Sequence, residues 1–95
     1  MPVDWLFDFG STVVTRGVQE LIASGRLNPA PILRRHSLGD WGDVCADDWE
    51  INDNAVINGA RILSSYDTDA SPDGKVWVIT EADRSVTTIL LPSEY

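Results

Sequence analysis

Lys75-Val76-Trp77-Val78-Ile79-Thr80-Glu81 is the stretch on which the fold turns. It is rich in β-branched and aromatic residues, which fit a pleated and half-buried surface. With a period of two, Trp77 and Ile79 share one face and Val76 and Val78 the other. Both faces are apolar, so the reading is a central strand with helices on at least one side. Working outward, Arg61 to Tyr66 and Ser85 to Leu91 have the same composition. Asp67 to Gly74 contains Pro72 and Asp73-Gly74 and reads as a hairpin loop. Residues 82–84 form a tighter connection. Three strands with short links predict an antiparallel meander, ended by Pro92.

Upstream the period changes. Trp5, Leu6, Phe7 and Phe9 make an apolar opening, and Val13-Val14 after Gly10 reads as a short strand. Thr15 is a good N-cap, Val18, Leu21 and Ile22 follow at helical spacing, and Gly25 suits a C-terminal stop. Asn28-Pro29 opens a second helix. Ile32 and Leu33 face its core side, and Arg34, Arg35 and His36 lie at its end, where the dipole favours positive charge. Asp47 with Glu50 predicts a capping box for a third helix. Cys45, Trp49, Asn52 and Val56 share one stripe of it, and Gly59 closes it. The expected architecture is α+β, with N-terminal helices packed on a C-terminal three- to four-stranded antiparallel sheet, in one domain over residues 1–95.

The 95 residues carry a formal net charge of −8, with a single cysteine. Clustered Lys and Arg, which phosphate binding needs, are missing from this balance, so nucleic acid and anionic membrane are not expected as direct partners. No apolar run approaches the roughly 18–20 residues needed to cross a bilayer. Asp4 and Asp8 near the start argue against a secretory signal, and the lone Cys45 suits a reducing compartment. These features point to the cytoplasm. The charge is uneven: four bases against three acids in residues 1–39, three bases against twelve acids in residues 40–95. The densest run is Asp40, Asp43, Asp47, Asp48, Glu50 and Asp53, with no base among them. It is either a solvated face or one that docks on a basic partner.

His36 is the only histidine, and no nucleophile elbow accompanies it. Cys45 would pair with it only through folding, and the plainer reading of Cys45 is a small buried side chain. One Cys and one His are too few for zinc. Asp67, Asp69, Ser71 and Asp73 have calcium-loop spacing, but Pro72 and Val78 occupy the positions that need glycine and glutamate. The spacing of Asp40, Asp43, Asp47 and Asp48 is not specific for magnesium. No phosphate-binding glycine loop is present. Neither a cofactor nor a metal is therefore expected. Trp41, framed by glycines and acids, reads as the exposed tryptophan and a binding anchor, and Trp49 as the core one. Asn52, on the apolar stripe, is expected to pin the Asp40–Asp43 loop. Asp83 reads as a turn cap, and Arg84 as pairing with a neighbour.

Arg35-His36-Ser37-Leu38-Gly39-Asp40-Trp41-Gly42-Asp43 and the tail from Val76 to Tyr95 resemble a family of small bacterial proteins. These are known as plasmid-related or hypothetical proteins and occur on plasmids, phages and integrated elements. The resemblance runs from about residue 9 to the end and carries no catalytic role. It implies a mobile-element accessory protein, and small acidic proteins of that setting resemble anti-CRISPR and anti-restriction inhibitors. Three readings follow. The first is a non-enzymatic inhibitor that uses Asp40, Trp41, Asp43, Asp47, Asp48 and Glu50 against a protein with a basic surface. The second is a small enzyme or ligand-binding domain built on His36, Asp40, Asp43 and Arg84, with Asp83 beside them. The third is a homodimeric structural or regulatory factor.

Overall fold

A computed structural model describes residues 5–95; Asp4, used above against a secretory signal, lies outside them. The elements run β1 (Ser11–Val14), α1 (Arg16–Ala23), α2 (Pro29–Ser37), α3 (Ala46–Asn58), β2 (Ile62–Asp67), β3 (Lys75–Thr80), β4 (Val86–Leu90) and a 3-10 turn at Pro92–Glu94. Among the described residues no helix is long and apolar enough to cross a membrane. The α+β reading holds, and β2, β3 and β4 form the expected antiparallel meander.

The expectation of a purely antiparallel sheet behind all the helices is corrected. Strand order is β1-β4-β3-β2, and β1, which precedes every helix, pairs parallel with β4. A parallel pair needs a long crossover. The three helices and the first hairpin supply it.

Register and alternation sort the sheet into two faces. One carries Ile62, Ser64 and Tyr66, Val76, Val78 and Thr80, then Thr87 and Ile89, then Thr12 and Val14. Both hydrophobic clusters sit here. Val18, Leu21, Ile32 and Leu33 of α1 and α2 pack with Tyr66, Val76, Val78 and Ile89, and Ala55 and Val56 of α3 pack with Trp41, Ile62 and Phe7. The other face carries Leu63, Trp77, Ile79, Thr88, Leu90 and Val13, which belong to neither cluster. Helices therefore form one layer, in agreement with a shortest dimension of 20 Å.

Asn28 accepts a bond from the Ala30 amide at 3.2 Å, and Pro29 follows, as the sequence predicts for α2. The capping box at Asp47 is corrected: Cys45 is the N-cap of α3, and its side chain makes no capping bond. Cys45 is also exposed rather than buried. Gly59, at φ 80°, closes α3.

The β2 edge is covered by mimicry of a further strand. Asn52 Nδ2 donates to the Leu63 carbonyl at 2.7 Å, and the Leu63 amide donates to Asn52 Oδ1 at 3.2 Å. Two residues along the strand the Ser65 amide donates to the Trp41 carbonyl at 3.0 Å, and the Asp43 amide donates to the Ser65 carbonyl at 2.6 Å. Gly42 between them has φ 76°, and a Cβ there would overlap the Ser65 carbonyl and the Tyr66 ring. Asn52 thus pins strand β2, not the Asp40–Asp43 loop, which makes its own backbone bonds beside it. Replacing Asn52 by Leu leaves both Leu63 groups unpaired. It is expected to lower unfolding stability by about 2–3 kcal/mol in urea titrations.

Candidate functional site

The acidic run is exposed over the start of α3 and the loop before it. Asp47 and Asp48 fill the first turn of α3, where the helix dipole favours negative charge. With Asp43 on the preceding loop and Glu50 one turn along, they are all exposed. Among the described residues, the ion pairs are Arg16–Glu20 and Arg35–Asp40, so none of these four carboxylates is neutralised by a base. The same helix exposes apolar side chains: Trp49 at 36%, Ile51 at 58% and Ile57 at 87%. Carboxylates and apolar groups alternate over this surface.

Trp41 is not the exposed residue expected, and Asp40 carries a surface ion pair. Asp40 is held by Arg35 at 2.7 Å and accepts the Gly42 amide at 3.2 Å. The Arg35 hydrogen bond holds its carboxyl below the usual carboxylate value. Trp41 is fully buried, with its indole N–H donating to Asp53 at 2.9 Å. The positive-φ glycines Gly39 and Gly42 fold the loop back, so the ring turns inward between α2 and α3. Trp49, at the flank of α3, is exposed at 36%. The predicted placements of these two tryptophans are exchanged.

The second cluster does not assemble as an open pocket. His36 is fully buried in α2, edge-on to Phe7 and Trp41. Its Nδ1 lies 2.5 Å from Ser64 Oγ and its Nε2 lies 2.8 Å from Thr80 Oγ1. Thr80 Oγ1 is 2.7 Å from Thr87 Oγ1, which donates to the Phe9 carbonyl at 2.7 Å. The direction of this chain follows from its end. A carbonyl only accepts, so Thr87 donates to Phe9 and accepts from Thr80. Thr80 then accepts from His36 Nε2–H, and bare Nδ1 accepts the Ser64 hydroxyl. The ring is neutral and both its nitrogens are satisfied. Burial, and secondarily the Arg84 charge, lower its pKa to about 3.

Arg84 is held apart from His36 by Phe7, with its guanidinium 5.5 Å from that ring's centre. It donates to the Ala60 carbonyl at 2.7 Å and the Ala55 carbonyl at 2.9 Å, clamping the end of α3 to the β3–β4 turn. That clamp, rather than an ion pair with a neighbour, accompanies its φ of 62°. Asp83 accepts the Ser85 amide and hydroxyl at 3.0 and 2.6 Å, as a turn cap. His36 and Arg84 are thus committed to internal hydrogen bonds and Asp83 to its turn, and the imidazole has no exposed surface.

Surface recesses lie elsewhere among the described residues. A cleft of about 420 Å³ between α1 and the first hairpin loop is lined by Gly17, Glu20, Arg26, Asp69, Ser71 and Pro72. A smaller one of about 210 Å³ lies at the β2 edge, lined by Asp48, Ile51, Asn52, Arg61 and Leu63. Among the described residues no group of three or more His, Cys, Asp or Glu is placed to hold a metal. Comparison with protein-family models, with curated proteins and with solved structures finds no match.

Proposed function

We propose that this chain is a non-enzymatic binding protein of the cytoplasm, carried on mobile elements. It lays the acidic face of α3 on a basic surface of a host nucleic-acid defence complex, as anti-CRISPR and anti-restriction proteins do. The observation that carries the reading is the set Asp43, Asp47, Asp48 and Glu50, exposed and without basic partners among the described residues, beside exposed Trp49, Ile51 and Ile57. Carboxylates in this position compete for Lys and Arg that would otherwise hold phosphates. They steer the encounter and fix its register, while the apolar side chains supply desolvated contact area. Trp49 takes the anchoring role that the sequence reading gave to Trp41. The sealed surroundings of His36 favour this reading over an enzyme, because a general base must reach its substrate.

The test is capture of a partner from host lysate, followed by titration of the purified pair. Affinity is expected to fall about tenfold or more between about 50 and 200 mM salt, as for other interfaces in which several charges pair. Asp43→Lys/Asp47→Lys/Asp48→Lys is expected to abolish binding with an unchanged circular dichroism spectrum. Affinity that is flat with salt, or retained by the triple variant, overturns the proposal.

A further inference from the structure

We propose that Leu91–Tyr95 is a hinged strap that opens and closes as one unit, and that when closed it ties α1 to the first hairpin loop across the 420 Å³ cleft between them. The hinge lies at Leu91-Pro92. This device goes beyond the inhibitor reading. Its test is made on the isolated chain, so it is decided whether or not a partner is captured.

The contacts of this segment run in three directions. Leu91 is buried in the first core cluster and lines the cleft, and Pro92 follows with its φ fixed by the ring. Beyond them Ser93, Glu94 and Tyr95 are exposed. Toward α1, Glu94 accepts from the Thr15 hydroxyl at 2.5 Å and from the Gly17 amide at 2.9 Å. It also accepts from the Leu91 amide at 3.0 Å, which closes the 3-10 turn on itself. Toward the hairpin loop, the Ser93 amide donates to Asp73 at 2.9 Å. Toward the sheet, the Tyr95 ring meets Trp77 edge-on at 5.7 Å, and its hydroxyl accepts from Arg61 at 3.1 Å. Gly17 lines one wall of the cleft and Pro72, next to Asp73, lines the other. Adjacent residues of one turn thus hold the two walls.

Gly17 is the independent sign that α1 is shaped to receive the strap. A glycine in a helix costs stability relative to alanine. Gly17 lies inside α1 and is not at positive φ, so its backbone does not call for glycine. A Cβ there would stand 2.6 Å from Leu91 Cδ1 and 2.9 Å from Glu94 Oε2. The missing side chain leaves the space that the strap fills. The Thr15 hydroxyl holds the Glu94 carboxyl below the usual carboxylate value, and the Ser93 amide does the same for Asp73, so both contacts favour the charged forms. Past Leu91 the strap is held by hydrogen bonds at exposed positions rather than by core packing. Each such bond shifts an opening equilibrium by about tenfold, and segments held in this way open before the core does. One short turn carries both Ser93 and Glu94, so neither bond is released without disturbing the other.

Native-state amide exchange followed by NMR tests the strap. In wild type the Gly17 and Ser93 amides are expected to exchange through one shared opening, at least about 100-fold faster than amides within β3 once intrinsic rates are corrected for. Glu94→Ala, at an exposed position, is expected to speed exchange at Gly17 about tenfold or more. It is expected to speed exchange at Ser93 as well, although the Ser93 partner, Asp73, is untouched. Asp73→Ala is expected to speed Gly17 by the factor that Glu94→Ala gives at Ser93, because a coupling between two sites is reciprocal. In both variants the Tyr95 ring protons are expected to move toward free-tyrosine shifts as the ring leaves Trp77. Gly17→Ala provides the second test. In an unobstructed helix it would be stabilising; here it is expected to speed exchange at Ser93, as Glu94→Ala does. Gly17 and Ser93 amides that exchange only as slowly as those of β3 overturn the proposal. So does a Glu94→Ala effect confined to Gly17, or a Gly17→Ala chain in which Ser93 stays as protected as in wild type.

Discussion

Trp41→Ala is expected to lower the unfolding free energy by about 3–5 kcal/mol, the range for truncating a fully buried tryptophan. Trp41 is 0% exposed and packs with Ala55, Ile62 and Phe7, with His36 edge-on at 5.8 Å. Its removal opens a cavity where α2, α3 and the sheet meet. Domains of this size hold only about 5–15 kcal/mol in total, so the variant sits near or below its folding threshold. Trp41→Phe keeps one aromatic ring, loses the bond to Asp53 and leaves a smaller cavity, so its cost is expected to fall below that of Trp41→Ala. Denaturant titration followed by circular dichroism gives both numbers. A Trp41→Ala cost under about 1 kcal/mol would contradict the burial on which the corrected site rests.

Acidification is expected to weaken the fold well above the carboxylate range, because His36 is neutral in the core. Its folded pKa of about 3 lies below the ordinary value of 6.5. The unfolded chain therefore binds a proton that the folded chain refuses. The stabilisation is complete above 6.5 and is lost progressively as the pH falls toward 3. One proton gives a slope of about 1.4 kcal/mol per pH unit, or about 2 kcal/mol between pH 7.5 and 5. No other histidine contributes in that window, and the depressed pKa values of Asp40, Asp73, Asp83 and Glu94 act only at lower pH. Urea titrations at several pH values read the slope, and His36→Gln is expected to remove it. Equal stability at pH 7.5 and 5 would show the imidazole to be accessible.

The three meander strands were legible because β-branched runs and turn residues are local signals. Val13-Val14 was legible as a strand, but its partner was not. The pairing Val13↔Thr88 joins distant parts of the chain, and no local pattern encodes it. The exchange of Trp41 and Trp49 has a similar cause. Flanking glycines and acids suggest exposure, yet those glycines permit the tight turns that drive the ring inward. His36 did leave a trace. It lies four residues after Ile32, so the core face of α2 continues through it. Ser64, Thr80 and Thr87 alternate in register with core residues, which marks them as its hydrogen-bond partners only once the strands are paired. The exposure of Asp43, Asp47, Asp48 and Glu50 was legible, since clustered like charges stay in solvent. The apolar side chains beside them became visible only when the layers were assembled.

The most direct test of the acidic-face account separates the place of the charge from its amount. Capture of the host partner by wild type is compared with two triple reversals that carry the same net charge. One is Asp43→Lys/Asp47→Lys/Asp48→Lys, and the other is Glu20→Lys/Asp69→Lys/Glu81→Lys, at exposed acids away from the first turns of α3. The account predicts that the distal variant recovers the same partner as wild type and that the α3-face variant recovers none. Equal loss in both variants, or full recovery by the α3-face variant, would contradict it.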